Sequence, residues 1–428
     1  MREVSALCGL LAALGAVALG LGWLRTLAAV ALAATSPLLI YYSRLFLHEP
    51  VLLACAIPGL AGILLFLRKN HLWPAAFLLG IGVGLMAATR ETVVISLIAW
   101  TIAGFAFLYR AQDPLAGPSP QSRFRAVFSD IRVLALPTAT AAILTLLIIF
   151  GFYSNGGKNP AGFLRFFETY FAYETGEGHD KSPAYYANLL IWPKHLVARW
   201  WSEGAIFLLS LLVYLDRSRG SISLTGRFLF EAGVIHILIF SLFSYKTPWL
   251  PSLGWLHLCF AAGVGGIALI SRIRQWGTIS ATVAAALLTL VPFWHAKQAK
   301  LAAFRLPSDG RNPYAYVPTS RDVQTLGPFI AGLRKASPEH GSEPVAVVGA
   351  EYWPLPWYLR NHEPIGYWLD LPENGAEFPI LVMLPKPYNK HVSALAETHT
   401  FIPKGLRHET PIMVAIRKDI WEAYQQQP

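Results

Sequence analysis

The chain has 428 residues, of which 54% are hydrophobic and only 14% are charged, whereas soluble domains have about 45–50% apolar and about 25% charged residues. This composition indicates a membrane protein. The net charge is +10, from 35 Lys and Arg against 25 Asp and Glu, and such an excess is typical of basic cytoplasmic loops between spans. No basic cluster suggests a nucleic-acid partner. Cys8, Cys55 and Cys259 lie in apolar stretches, as is typical of packing residues.

Apolar segments long enough to cross a bilayer recur along the first two thirds of the chain. We predict ten spans, and we expect the seventh, which is short, to extend back through Trp200 and Trp201 because their rings suit the membrane interface. The ten segments are residues 4–22, 27–42, 51–67, 73–88, 92–109, 133–152, 205–215, 228–243, 250–270 and 278–294.

Lys and Arg concentrate in alternate loops, which the positive-inside rule assigns to the cytoplasm. The opposite loops, and everything after Trp294, are then predicted to lie outside a plasma or inner membrane. The basic loops carry Arg25, Arg68, Lys69, Arg110, Arg123, Arg125, Arg132, Arg217, Arg219, Arg227, Arg272 and Arg274.

Residues 295–428 have the composition of a small soluble domain. Residues 320–335 have apolar side chains at helical spacing, whereas residues 344–348, 380–384 and 411–416 are apolar runs of strand length. We therefore predict an extracytoplasmic α/β domain after a membrane domain of residues 1–294. No glycine-rich phosphate-binding motif occurs, so we expect no nucleotide cofactor.

Ionisable residues interrupt the apolar pattern at three corners on the predicted outer side. These corners are residues 36–50, 87–92 and 243–249. Charged side chains within a membrane raise the free energy of the folded protein unless they pair with one another or line a water-filled cavity. A shared functional site is therefore the default interpretation. The alternative is structural: Arg44 and Lys246 would be snorkelling anchors, and Tyr42 and Trp249 would belong to an aromatic belt.

The remaining polar features are weaker signals. His236 and His257 lie inside spans without a third ligand at a metal-binding spacing, which favours structural hydrogen bonds, and we predict no metal site. The outer loop begins with an amphipathic, aromatic stretch typical of an interfacial helix. It continues in a turn, residues 176–181, that is equally compatible with a sugar- or phosphate-binding loop and with a plain solvated loop.

Several short motifs in one order resemble the archaeal and bacterial GT-C family known as flippase-activity-associated proteins, distant relatives of protein O-mannosyltransferases. The motifs are residues 4–11, 36–49 with Tyr-Tyr-Ser-Arg, 88–93 with Thr-Arg-Glu-Thr, 178–181, 245–250 and 352–360. The resemblance implies a polytopic glycosyltransferase that takes a sugar from a polyprenyl-phosphate carrier at the outer membrane face and passes it to a glycan or protein acceptor.

Such a reaction requires cations against the lipid phosphate and a carboxylate as general base. We predict Arg44, Arg90 and Lys246 as the cations. Glu49 and Glu91 are the candidate catalytic carboxylates, although we expect them mainly to orient substrate or the cations. The predicted substrate-binding residues are Tyr42, His48, His179, Asp180, Lys181 and Trp249.

The sequence differs from the family pattern at the beginning of the chain. In the GT-C fold an acidic motif lies in the first outer loop, and this sequence starts at the equivalent of the second span. We therefore expect poor turnover, and a non-catalytic component that binds or helps translocate lipid-linked sugars is the alternative function.

The topology is testable by cysteine labelling from the periplasmic side. Cysteines introduced at Lys181 and Lys335 are expected to react, because these positions are predicted to lie outside, whereas cysteines at Arg123 and Arg219 are expected to be protected. The parent protein for these variants lacks Cys8, Cys55 and Cys259. The opposite labelling pattern would contradict the predicted orientation.

Overall fold

The structure is a computed structural model that describes residues 2–111, 120–171, 180–196, 198–216, 220–407 and 410–426. The chain forms two compact units, Met1–Arg305 and Leu306–Pro428. The division falls beyond the predicted boundary at Trp294, because the last helix of the first unit continues to Lys300.

Helices make up nearly all of the first unit. They are α1 (Arg2–Leu14), α2 (Trp23–Thr35), α3 (Pro37–Ser43), α4 (His48–Leu67), α5 (Leu72–Thr89), α6 (Val93–Ala111), α7 (Pro120–Tyr153), α8 (Gly162–Phe171), α9 (Gly204–Leu211), α10 (Ser221–Leu242), α11 (Ser252–Ile273) and α12 (Thr278–Lys300). Among the described residues, 8 helical segments are long and apolar enough to cross a membrane, the bent pair α2–α3 makes up to 9, and Gly204–Leu215 is a shorter apolar segment. These segments coincide with the ten predicted spans.

The predicted second span is not one continuous helix. It breaks at Ser36, where α2 and α3 meet at a bend of 60°. Pro37 has no backbone N–H to donate, and its ring disfavours helical backbone angles at the preceding residue, Ser36. A helix boundary at Ser36 is therefore expected. Ser36 caps α3, accepting a long 3.5 Å hydrogen bond from the Leu39 backbone N–H.

The predicted extension of the seventh span through Trp200 and Trp201 is wrong. Both residues lie on strand β2 (Arg199–Trp201), which pairs antiparallel with β1 (Lys194–Leu196). Trp201 is buried and its indole N–H donates to the Leu196 carbonyl at 2.9 Å. Successive side chains of a strand point to opposite faces, so β2 accommodates the two adjacent indole rings easily. The helix α9 begins only at Gly204.

Small residues allow the central helices to approach closely. A Cβ atom at Gly82 of α5 would lie 2.2 Å from the backbone nitrogen of Gly59 on α4. Gly233 of α10 and Gly254 of α11 face each other in the same way. Close backbone contact through small residues is a main source of helix association in membranes, and it makes α11 the most buried span.

The second unit is an α/β domain with a five-stranded sheet. Its strands are β3 (Val345–Val348), β4 (Ile365–Trp368), β5 (Ile380–Met383), β6 (His399–Arg407) and β7 (Thr410–Arg417), in the order β4-β3-β5-β7-β6. Strand β3 pairs parallel with β4 and β5, whereas β7 pairs antiparallel with β5 and β6. The helices are α13 (Leu326–Ala336), α14 (Leu355–Leu359), α15 (Pro385–Leu395) and α16 (Lys418–Gln425).

The three predicted strands correspond to β3, β5 and β7, and the predicted helix at residues 320–335 is shorter than expected. Its first turn, Asp322–Thr325, is a 3₁₀ helix, and the α-helix begins at Leu326. Buried residues on both sheet faces form separate apolar clusters, so this unit has a core of its own. Trp353 and Trp357 are 65% and 61% exposed, so neither ring is buried against the sheet.

We expect residues 306–428 to fold alone and to lose stability in acid. His399 is buried and its ring nitrogens contact the Phe378 carbonyl at 2.9 Å and the Thr398 hydroxyl at 2.8 Å. Burial lowers the pKa of His399, so the unfolded state binds a proton first. The free energy of unfolding should therefore fall as the pH drops below about 6.5, by at most about 1.4 kcal/mol per pH unit.

Urea denaturation followed by circular dichroism between pH 5 and pH 8 measures this dependence. The His399→Gln variant should have a flatter profile, whereas Lys386→Gln, at an exposed position of α15, should keep the slope. A profile that is unchanged by His399→Gln would show that His399 does not cause the acid sensitivity.

Candidate functional site

The first unit contains a cavity of about 350 Å³ at the predicted outer ends of α5, α6 and α10. Its walls are largely apolar, and its charged side chains are Arg90 and Glu91. The lining residues are Arg90, Glu91, Thr92, Val94, Ile95, Thr169, Phe240, Phe243, Tyr245 and Leu250. Two of the three predicted corners, residues 87–92 and 243–249, therefore contribute to one cavity.

Arg90 joins the cavity to the first corner. Its guanidinium forms an ion pair with Glu49 at the start of α4, while its Nε lies 3.8 Å from Glu91 Oε1. The side chains of Arg90 and Glu49 are 17% and 5% exposed, whereas that of Glu91 is 35% exposed. Arg90 can therefore remain charged at this depth because Glu49 compensates it, and Glu91 is the more accessible carboxylate.

A smaller pocket lies behind the ion pair. Glu49, Arg90, Trp249 and His236 all line it. His236 is buried, and its Nδ1 has no hydrogen-bond partner among the described residues. His236 was predicted from the sequence to have a structural role. The signal that could have indicated this pocket was a histidine within an apolar helix.

Lys246 connects the third corner with the outer loop. It is only 1% exposed, and its Nζ donates to the carbonyls of Lys181, at 3.0 Å, and Phe243. Asp180 forms a β-bridge with Tyr245, and the Lys181 N–H donates to the Ser244 carbonyl at 3.0 Å. The described part of the predicted turn is thus attached to the cavity wall, whereas His179 lies outside the described residues.

The predicted aromatic residues Tyr42 and Trp249 are in contact. Their ring centroids are 5.8 Å apart in an edge-to-face arrangement. Tyr42 is buried on α3, and Trp249 also lines the pocket that contains Glu49 and Arg90. The nearby Tyr186 hydroxyl donates to the Thr247 carbonyl at 3.1 Å and holds the third corner from the loop side.

Arg44 and His48 are exposed and are absent from the residues that line the two pockets. The Arg44 guanidinium lies 3.9 Å from the centroid of the Phe304 ring, a cation–π contact. Arg90 and Lys246 are therefore the predicted cations that the structure brings close to the cavity wall, and Arg44 has a different environment.

Glu203, between β2 and α9, is a buried carboxylate that was not predicted from the sequence. It accepts hydrogen bonds from the Ser36 hydroxyl at 2.5 Å, the Leu38 N–H at 2.9 Å and the Trp255 indole N–H at 3.0 Å. With both oxygens engaged, Glu203 joins α3, α9 and α11. An acidic residue directly before an apolar helix was the available signal.

His257 has the structural role that was predicted for it. Its Nε2 accepts from the Trp100 indole N–H at 2.8 Å, and its Nδ1 lies 2.6 Å from the Leu253 carbonyl oxygen. Within the part of the chain that the structure describes, no group of three or more His, Cys, Asp or Glu residues could hold a metal ion.

Comparison with known proteins identifies the fold. No family model and no curated protein matches the chain. Two crystal structures of ArnT from Cupriavidus metallidurans share its fold, one in the apo state (15% identity) and one bound to undecaprenyl phosphate (16% identity). Each has a TM-score of 0.54, and the likeness covers 98% of this chain and 84% of ArnT. The predicted GT-C-like fold, a polytopic helical unit followed by a C-terminal α/β domain, is confirmed.

The Arg90–Glu49 pair should matter for stability. Glu49→Gln is expected to destabilise the protein by about 3–5 kcal/mol because it leaves Arg90 buried with Glu91 as its remaining, more solvated neighbour. Thermal unfolding in detergent, followed by tryptophan fluorescence, reports the loss.

Lys390→Gln is the control, since the Lys390–Asp370 pair is 61% and 49% exposed and such pairs contribute about 0–1 kcal/mol. The double variant Glu49→Gln, Arg90→Gln should recover part of the lost stability. If Glu49→Gln were no more harmful than Lys390→Gln, the pair would not be structurally important.

Proposed function

We propose that this protein is a GT-C-type glycosyltransferase that binds a polyprenyl-phosphate-linked sugar at the outer face of a plasma or inner membrane. The observation that carries the proposal is the apolar cavity of about 350 Å³ with Arg90 and Glu91 in its wall. A structural neighbour of the same fold is bound to undecaprenyl phosphate, and the cavity has the chemistry that such a ligand requires.

The phosphate group would interact with Arg90. A guanidinium has five N–H donors. The pairs with Glu49 and Glu91 involve the Nη1 and Nε atoms of Arg90, so Nη2 would serve the phosphate. Lys246 adds a buried positive charge one residue from the cavity-lining Tyr245, and no carboxylate of the described residues lies within ion-pair distance of it. Fixed cations stabilise the negative charge that develops on a departing lipid phosphate.

The apolar walls suit the polyprenyl chain. Val94, Ile95, Phe240, Phe243 and Leu250 present hydrocarbon surface to the cavity. Burial of such surface contributes about 25 cal/mol per Å², so the lipid supplies binding energy while the charged residues fix its headgroup. Ligand sites typically combine a mainly apolar lining with a few placed polar groups.

Glu91 is the better candidate for the general base. A base must reach the acceptor hydroxyl directly or through one water, and Glu91 is both in the cavity wall and more exposed than Glu49. Glu91 would take the acceptor proton while the acceptor oxygen bonds to the anomeric carbon of the sugar. The sugar–phosphate bond breaks in the same step, and polyprenyl phosphate leaves. Glu49, held by Arg90, would act as a positioning residue.

The sugar would lie towards the third corner. Trp249 offers an aromatic face supported by Tyr42, and Asp180 and Lys181 lie beside Tyr245. Aromatic rings and hydrogen-bonding side chains are the usual partners of pyranose rings. The acceptor would be a glycan or protein.

Donor binding is testable with purified protein in detergent. Arg90→Gln should weaken binding of polyprenyl phosphate about tenfold or more, because a charge-assisted contact contributes about 1.5–3 kcal/mol. Arg165→Gln is the matched control, since Arg165 is exposed on α8 and does not line the cavity. Equal affinities of wild type and Arg90→Gln would refute the phosphate role of Arg90.

Catalysis is measured as release of polyprenyl phosphate from a radiolabelled lipid-linked sugar. Glu91→Gln should lower the turnover about 10²–10⁴-fold if Glu91 is the base. Glu168→Gln is the control and should keep the turnover, because Glu168 is exposed on α8 and does not line the cavity. Tight binding without turnover in the wild type would instead support the alternative, a non-catalytic component that binds lipid-linked sugars.

A further inference from the structure

A second cavity lies at the other end of α10. It has a volume of about 470 Å³ and is lined by Arg25, Tyr214, Leu215, Asp216, Ala268, Ser271, Arg272 and Gln275. Helix α10 begins beside it, where the Ser223 hydroxyl donates to the Asp216 carbonyl at 2.9 Å, and ends at the first cavity near Phe243. Its 22 residues span about 33 Å, close to the roughly 30 Å of a bilayer core.

The charges in this second cavity favour an anion. Arg25 near the start of α2 and Arg272 near the end of α11 contribute two positive charges, and Asp216 contributes one negative charge, so the lining carries 2 − 1 = +1. Within the described residues, no carboxylate lies within ion-pair distance of Arg25 or Arg272. Guanidinium groups without a carboxylate partner at a cavity wall are suited to bidentate contacts with a phosphate.

The surroundings place this cavity at the depth of lipid headgroups. Trp23 lies two residues from Arg25 and is 74% exposed, and Trp276 lies four residues from Arg272 and is 77% exposed. Exposed tryptophans mark the interface between hydrocarbon and headgroups. Leu215 and Ala268 add apolar surface beside the two arginines, which a free phosphate ion would not need but acyl chains would cover.

We propose that this cavity binds the headgroup of an anionic phospholipid on the membrane face opposite the candidate active site. Arg25 and Arg272 contact the lipid phosphate, and Gln275 supplies an amide for the rest of the headgroup. The basic loops predict that this face is cytoplasmic, where anionic lipids are enriched. The proposal is independent of the proposed transferase function, because none of these residues lines the outer pockets.

Native mass spectrometry of the full chain in detergent, titrated with phosphatidylglycerol or phosphatidylcholine, tests this site. The wild type should retain phosphatidylglycerol preferentially. Arg25→Gln and Arg272→Gln should each weaken retention about tenfold or more. The lysine variants keep the charge but lose the bidentate geometry, so they should recover only part of the retention. Arg274→Gln is the matched control, since Arg274 is exposed, follows Arg272 by two residues and does not line the cavity.

Four results would overturn the proposal: equal retention of the two lipids, equal losses in Arg272→Gln and Arg274→Gln, competition by millimolar inorganic phosphate, or retention unaffected by both glutamine variants. Competition by inorganic phosphate would identify a free-anion site instead. If Arg25→Gln fails to elute as a folded protein, Arg272→Gln decides the outcome, because Arg272 is exposed at a helix end.

Discussion

The carboxylate of Glu203 holds together the part of the membrane unit on which the candidate site depends. It is fully buried, and it accepts hydrogen bonds from the start of α3, at Ser36 and Leu38, and from the start of α11, at Trp255. A buried carboxylate is tolerated only when its oxygens are satisfied, so the bend at Ser36, the start of α9 and the position of α11 are mutually constrained. Moving any one of them would leave polar atoms unpaired at membrane depth.

The bend has a consequence for the site. It directs α3 so that Tyr42 contacts Trp249, and Trp249 in turn lines the pocket behind Glu49 and Arg90. The same reasoning applies to Lys246, whose charge is stabilised by backbone carbonyls from the outer loop and from the end of α10. Arg90 and Lys246 are therefore each held by a partner from a different segment, which fixes their charges beside the cavity wall, as electrostatic stabilisation requires.

The two ends of α10 differ in how their charges are compensated. At the outer end, Arg90 has the carboxylates of Glu49 and Glu91 beside it, and the cavity is mostly apolar. At the other end, Arg25 and Arg272 share a polar cavity with the single carboxylate of Asp216. The first arrangement suits a ligand that brings a long apolar chain, and the second suits a headgroup with net negative charge. The 22 residues of α10 separate the two cavities, so the two ends of one helix lie in different charge environments.

The sequence by itself determined the spans, the three polar corners and the buried strands β3, β5 and β7, because hydrophobic runs and periodicity are local properties. It did not reveal β6, where Pro403 and Gly405 resemble a turn and are tolerated because β6 is an edge strand. Only the tertiary structure decided that Arg90 pairs with Glu49 across two helices, that Lys246 binds the Lys181 carbonyl, and that Glu203 joins three segments. Those contacts connect residues that are far apart in the chain. They form only when the helices have packed, because buried charges and polar groups in a medium without water must then find partners within the protein.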